Sequence, residues 1–444
     1  ASDSQSVAAS EPIIKTELPG PNARVILERD KKFISPSYSR CYPLVIKKGE
    51  GCWVEDVDGN VFLDFTSGIA VNNLGHCHPR IVEAAKEQLN KFIHMSGTDF
   101  YYELQSQLAE KLSEIVPGVW DKKVFLCNSG TEAIESAIKL ASYYTQRDYF
   151  ISFTGSFHGR TIGSFSLTCS KEVHKRGFPI MPGVIHVPYG YCYRCQFNKD
   201  VKSCDIDCAN YIEKEIFPRI SPYDIAAIFV EPIQGEGGYI VPPAQFHSKL
   251  RKLTKKYGIL LIADEIQTGM GRTGKMLAME HFDVEPDIIC LAKGLASGFP
   301  LGAMIAQEHI MTWPPGAHAN TFGGNPIACR AALETIDILT PAFLHDVWNL
   351  SLPFRWELQR LGMGYKCVGD VRGLGMMIAI EFITGEDKTP NPILRDIIIR
   401  RCFEKGLLLL PCGSSSIRFV PPLIVTKEEI DVALDIFKSV LEEN

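Results

Sequence analysis

Residues 285–304 read EPDIICLAKGLASGFPLGAM. An apolar run over 287–292 ends on one lysine, Lys293, and small residues follow: Gly294, Ala296, Ser297 and Gly298. The run has the length and β-branched content of a buried strand. A charged amine at such a strand end is either solvated in a loop or chemically used, because an unpaired buried ammonium costs stability.

Working outward, five further apolar runs alternate with helical segments. KKVFLC (122–127), DYFISF (148–153), VIHVPY (184–189), DIAAIFVEP (224–232) and GILLIADE (258–265) read as strands. PRIVEAAKEQLNKF (79–92), ELQSQLAEKLSEIV (103–116) and NSGTEAIESAIKLASYY (128–144) carry apolar residues at helical spacing. Such alternation predicts an α/β fold with a mostly parallel sheet covered on both faces. Ahead of it, GCWVEDVDGNVFLDF (51–65) predicts a hairpin turning at Asp58-Gly59. Past about residue 335 the pattern becomes a compact α+β arrangement. Three segments follow: 1–75, with a disordered start, the hairpin and part of a small domain; a large domain over 76–335; and a small domain over 336–444. Order is expected to begin near Pro21.

Composition narrows the function. The chain of 444 residues is 45% hydrophobic and 22% charged, with a net charge of −6. These values describe an ordinary globular protein and argue against a nucleic-acid or membrane surface. No run approaches a membrane span, and the polar opening ASDSQSVAAS reads as no secretory signal, so a cytoplasmic location is expected. Of 14 cysteines, four cluster as Cys192-x2-Cys195-x8-Cys204-x3-Cys208. That spacing suits a zinc knuckle, a pair of disulfides, or free thiols; any role is expected to be structural, with no catalytic metal.

Parallel sheets bind ligands at the carboxyl ends of their strands. There this chain delivers Glu231, the pair Asp264-Glu265, and Lys293, 29 residues beyond Asp264. The first strand opens onto Ser129-Gly130-Thr131 at a helix start, a good seat for a phosphate. One ligand uses all of these together. Pyridoxal 5′-phosphate needs a lysine for its aldehyde, a carboxylate for its ring nitrogen and a dipole-rich cradle for its phosphate.

Six motifs in order then carry a family resemblance: NSGTEA (128–133), SFHGRT (156–161), EPIQGEGG (231–238), ADEIQTGMGRTG (263–274), LAKGLASGFPLGA (291–303) and TFGGNP (321–326). Over roughly residues 43–440 the chain resembles the class III aminotransferases, which are fold-type I pyridoxal phosphate enzymes. Within them it is most similar to 4-aminobutyrate and other ω-amino-acid aminotransferases of archaeal type. The resemblance implies a large domain with a mostly parallel seven-stranded sheet flanked by helices, plus a smaller α+β domain.

It also implies site roles. Lys293 would form the Schiff base and move the proton, and Asp264 would pair with the ring nitrogen. Gln267 would hydrogen-bond the phenolic oxygen, while Phe157 would lie on the ring face beside His158. Ser129, Gly130 and Thr131 would hold the phosphate. Thr321 would reach the phosphate of the other subunit's cofactor, implying a homodimer with shared sites and room for a higher oligomer. Arg160 would bind a substrate carboxylate. Glu236 and Arg418 match the family's paired switch: Glu236 neutralises Arg418 when an ω-amino acid is bound and swings aside for glutamate's second carboxylate. Ile69, where ornithine aminotransferases are expected to carry a tyrosine, offers no hydrogen bond and favours an apolar-chain ω-amine.

The implied reaction moves an amino group from a 4-aminobutyrate-like donor to 2-oxoglutarate, giving a semialdehyde and glutamate. An amino-acid racemase on the same scaffold, or an ornithine or acetylornithine aminotransferase, is the alternative. A cofactor-free binding protein would need Lys293 or Asp264 to be missing.

Overall fold

The computed structural model describes residues 6–443 and divides into two compact units. One is Arg80–Asp346; the other joins the two ends of the chain, up to Pro79 and from Val347 onward.

The unit Arg80–Asp346 is built on a seven-stranded sheet. In spatial order its strands are Lys122–Cys127, Gly302–Gln307, Ile288–Leu291, Leu260–Asp264, Ile225–Val230, Tyr149–Phe153 and Val184–Val187. All neighbours are parallel except Gly302–Gln307, which runs antiparallel to both of its own. The three strands 225–230, 260–264 and 288–291 are buried along their whole length. That is why they appear in the sequence as unbroken apolar runs rather than alternating ones. Helix Gly130–Thr145 lays Ala133, Ile134, Ala137, Ile138 and Ala141 onto the sheet and closes the core with Phe150, Phe229, Ile262 and Met304.

One strand of the seven was not apparent in the sequence. Gly302–Gln307 follows the Lys293 turn so closely that its apolar run blends into the small residues there. Its antiparallel pairing needs no crossover helix, so the helix–strand rhythm gives no sign of it.

The other unit holds two four-stranded sheets. The expected hairpin forms from Trp53–Asp56 and Val61–Asp64, and Leu407–Leu408 adds to it in parallel. An antiparallel sheet orders Val368–Leu374, Met377–Phe382, Ser416–Phe419 and Leu410–Cys412. The chain is anchored earlier than Pro21: Val7 is buried, Ile13 bridges Val61, and Lys15 N–H donates to Asn60 Oδ1 at 2.7 Å. Contacts made this early, including Val7 N–H donating to Glu50 Oε2 at 2.9 Å, are ones that composition does not register. The first five residues of the polar opening lie outside those described. Among the described residues no helix is long and apolar enough to cross a membrane.

Candidate active site

Three neighbouring strands of the large sheet end side by side. Asp264 closes its strand opposite Cys290, and Glu265 N–H donates to the Cys290 carbonyl at 3.0 Å. Lys293 therefore leaves the adjacent strand just past that pair, opening a short 3₁₀ turn over Lys293–Ala296. Its φ is +42°, a region that side chains other than glycine rarely occupy and that clusters at working sites. Lys293 is half-buried while Gly294, Leu295 and Ala296 are fully buried.

Asp264 is 4% exposed and held from two sides. Its Oδ1 accepts from Ile266 N–H at 3.0 Å, and its Oδ2 accepts from His158 Nδ1 at 2.7 Å. Burial works against a charged His158 ring, but the hydrogen bond and charge of Asp264, with the charge of Glu231, hold its pKa above the ordinary value. Proton sharing across such a pair fixes the carboxylate's direction.

Glu231 was legible only as a strand-end carboxylate. In the fold its Oε2 accepts from Phe157 N–H at 3.1 Å and its Oε1 from Gly235 N–H at 3.0 Å, joining two loops. Burial foremost, and also Asp264, pushes its pKa up to about 7, against the pull of His158 and the two amides.

The helix start is more occupied than the sequence implied. Ser129 Oγ is the N-cap, accepting from Glu132 N–H at 3.4 Å and donating to Glu132 Oε2 at 3.0 Å. Thr131 Oγ1 lies 2.5 Å from Ser164 Oγ and 2.8 Å from Thr161 Oγ1. At Gly130 a Cβ would meet Ile266 Cδ1 at 2.8 Å and Cγ2 at 2.9 Å, so a larger residue would displace that side chain from the site.

The remaining predicted residues fall in two groups. Arg160, exposed, lies over the Phe157 ring at 5.6 Å, with Nη2 3.4 Å from His174 Nε2. His174 in turn packs edge-on to Phe157 at 5.5 Å. Glu236 makes an ion pair with Lys171 at 2.6 Å, a partner 65 residues away that no motif signals. Thr321 is exposed. Ile69 and Arg418 belong to the other unit. Arg418 is 5% exposed on strand Ser416–Phe419, and Ile69 sits at φ +67° in a turn tied to the end of that strand by Ser67 Oγ donating to Val420 O at 2.6 Å.

Of the four clustered cysteines, all line one small cavity of about 20 Å³ with Tyr189, Phe197 and Pro243. They are unlinked thiols, and among the described residues no group of three or more His, Cys, Asp or Glu is placed to hold a metal.

Pyridoxal phosphate fits the residues present. Gln267 Oε1 is buried with no hydrogen-bond partner. Beside it a Cβ on Gly235 would come within 2.5 Å of Gln267 Nε2, so the glycine leaves the amide its place. The Gln267 Oε1 end is an acceptor as placed; half a turn of the amide presents its N–H there instead, and such a donor, with a buried carboxylate and a lysine at adjacent strand ends, matches the needs of the cofactor.

Comparison with known proteins agrees. Residues 34–441 match the family described as Aminotransferase class-III. The alanine/serine racemase of Pyrococcus horikoshii is 38% identical over 97% of this chain and 93% of its own length. The acetylornithine aminotransferase of Caldanaerobacter subterraneus subsp. tengcongensis is 41% identical over 93% and 98%, and the 4-aminobutyrate aminotransferase of Mycobacterium leprae is 37% identical over 96% and 97%. The solved structure of the omega transaminase from Pseudomonas jessenii in complex with PMP superposes with a TM-score of 0.88 at 30% identity, covering 94% of this chain and 97% of that one. The chain belongs to the class III aminotransferases and is a pyridoxal-phosphate-dependent enzyme of the transaminase fold.

Proposed function

We propose that this enzyme moves the amino group of a 4-aminobutyrate-like ω-amino acid to 2-oxoglutarate, giving a semialdehyde and glutamate. The observation that carries this reading is the cation-rich patch around Phe157, where Arg160 meets His174 and Lys171 meets Glu236. A substrate with a carboxylate remote from its amine needs such an anchor, and arginine supplies it in bidentate form. The 4-aminobutyrate aminotransferase of Mycobacterium leprae, 37% identical, supports the substrate class. Ile69 offers no hydrogen bond for ornithine's polar end.

When bound, pyridoxal phosphate supplies an electron sink that lets the C–H bond on the amine-bearing carbon of the substrate break. Lys293 would hold the cofactor covalently and carry the proton at Nζ. Asp264, oriented by His158 and Ile266 N–H, would keep a negative charge against the ring nitrogen. Gln267 would donate to the phenolic oxygen, Phe157 would bound the ring with His158 behind Asp264, and Ser129, Gly130 and Thr131 would seat the phosphate. Arg418 would take glutamate's α-carboxylate and be neutralised by Glu236 in the other half-reaction, since a buried charge without compensation is costly.

The same proposal includes a homodimer in which Thr321 reaches the partner's phosphate. Phe322, Phe100 and Tyr101 are exposed at 59%, 52% and 104%, apolar surface suited to a subunit contact. It also includes a cytoplasmic location, which suits unlinked cysteines.

A second reading, amino-acid racemisation, is favoured by the 38% identical racemase of Pyrococcus horikoshii. A panel of amine donors, run with and without 2-oxoglutarate and with product chirality recorded, tests both. Glutamate formed only with an ω-amine and 2-oxoglutarate supports transamination; racemised amino acid without any 2-oxoacid overturns it.

A further inference from the structure

We propose that His174 is a positioning residue for Arg160: a neutral imidazole that fixes the guanidinium assigned above to the substrate's distal carboxylate. The inference rests on that reading of Arg160 and supplies what it lacks, because an exposed arginine side chain has no direction of its own. A guanidinium only donates, so at the 3.4 Å contact between Arg160 Nη2 and His174 Nε2 the imidazole nitrogen is the acceptor. Nδ1 then carries the proton and donates to Ser170 Oγ at 3.2 Å, which holds the ring in that tautomer. The Phe157 ring completes the seat: Arg160 lies over it at 5.6 Å and His174 packs edge-on to it at 5.5 Å.

The arrangement works only with an uncharged imidazole. Protonation would turn Nε2 into a donor facing another donor and set two cations against each other. The surroundings keep the ring neutral. Burial foremost, then the charges of Arg160 and Lys171, hold the His174 pKa below its ordinary 6.5, against the pull of Glu236. Spending one of its five donors on His174 leaves the guanidinium a fork for a carboxylate. Fixing it before the substrate arrives removes an ordering cost that binding would otherwise carry. Neither His174 nor Ser170 falls within the six motifs that carry the family resemblance.

The test measures, by calorimetry on the holoenzyme, the binding of pentanoate, in which a methyl group replaces the amine of 4-aminobutyrate. His174→Phe keeps a ring against Phe157 without the acceptor and should weaken binding about fivefold at neutral pH. His174→Gln supplies an amide oxygen as acceptor and should restore it. From about pH 8 down to about 5.5, wild-type binding should weaken as His174 takes up its proton. His174→Gln should not share that loss, the ligand's own titration being common to both proteins. With Arg160→Ala in place, His174→Phe should have no further effect. Wild-type affinity in His174→Phe, or an effect of it that persists with Arg160→Ala, overturns the inference. So does a His174→Gln variant that binds no better than His174→Phe or is as acid-sensitive as wild type. Arg160→Ala alone is the control on the underlying reading. If it leaves pentanoate binding intact, the carboxylate anchor itself falls; if it weakens binding while His174→Phe does nothing, only the role of His174 falls.

Discussion

His158 Nδ1 donates to Asp264 Oδ2 at 2.7 Å, and both side chains are buried, 106 residues apart in sequence. The carboxylate proposed to face the cofactor's ring nitrogen thus has its direction set by an imidazole from a different strand–loop connection.

That pair predicts a pH signature. His158 has a pKa raised above its ordinary 6.5, so its contribution to stability is complete below about that pH and is lost as pH rises through the folded-state value. His158→Gln should therefore cost most in mildly acid solution, about 3 kcal/mol, and progressively less in alkaline solution. Denaturant unfolding of both proteins across the pH range checks it. A stability difference that grows with pH would contradict the assignment.

Lys293→Ala is expected to abolish transamination, with a loss of about a thousandfold or more in kcat, because a positioned proton carrier is removed along with the cofactor's covalent anchor. The visible absorbance of the enzyme loaded with pyridoxal phosphate should change at the same time. Turnover surviving in this variant would take the lysine out of the proposed chemistry.

Glu265, the neighbour of Asp264, predicts a stability effect. Its carboxylate takes the Thr268 hydroxyl together with Ala278 N–H at 3.0 Å and Met279 N–H at 2.8 Å, all buried. Glu265→Ala leaves these donors without an acceptor and should cost about 3 kcal/mol, lowering Tm by several degrees, whereas Glu265→Gln keeps one acceptor and should cost less. Calorimetry on the three proteins decides whether the pair Asp264-Glu265 divides into a site residue and a structural one.

Much of the site could be read from the chain. Asp264, Glu231 and Lys293 were visible because a parallel sheet hides its strands on both faces, so each appears as an apolar run, and a polar residue closing the run stands out. Ser129 was visible as a residue at a helix start, and the structure makes its hydroxyl the cap, a contact within three residues. The strand Gly302–Gln307 was not visible, since its antiparallel insertion breaks the rhythm from which the others were inferred.

The sequence by itself determined the parallel strands of the large sheet, the helices between them and the polar residues that end them, because hydrophobic spacing and capping are local and the chain carries them residue by residue. Only the tertiary structure decided who meets whom. Glu231 bridges Phe157 and Gly235, His158 turns to Asp264, and Lys171 reaches Glu236, each across tens of residues. Such pairings depend on how far each strand end projects once the sheet has packed, and periodicity carries no record of that distance.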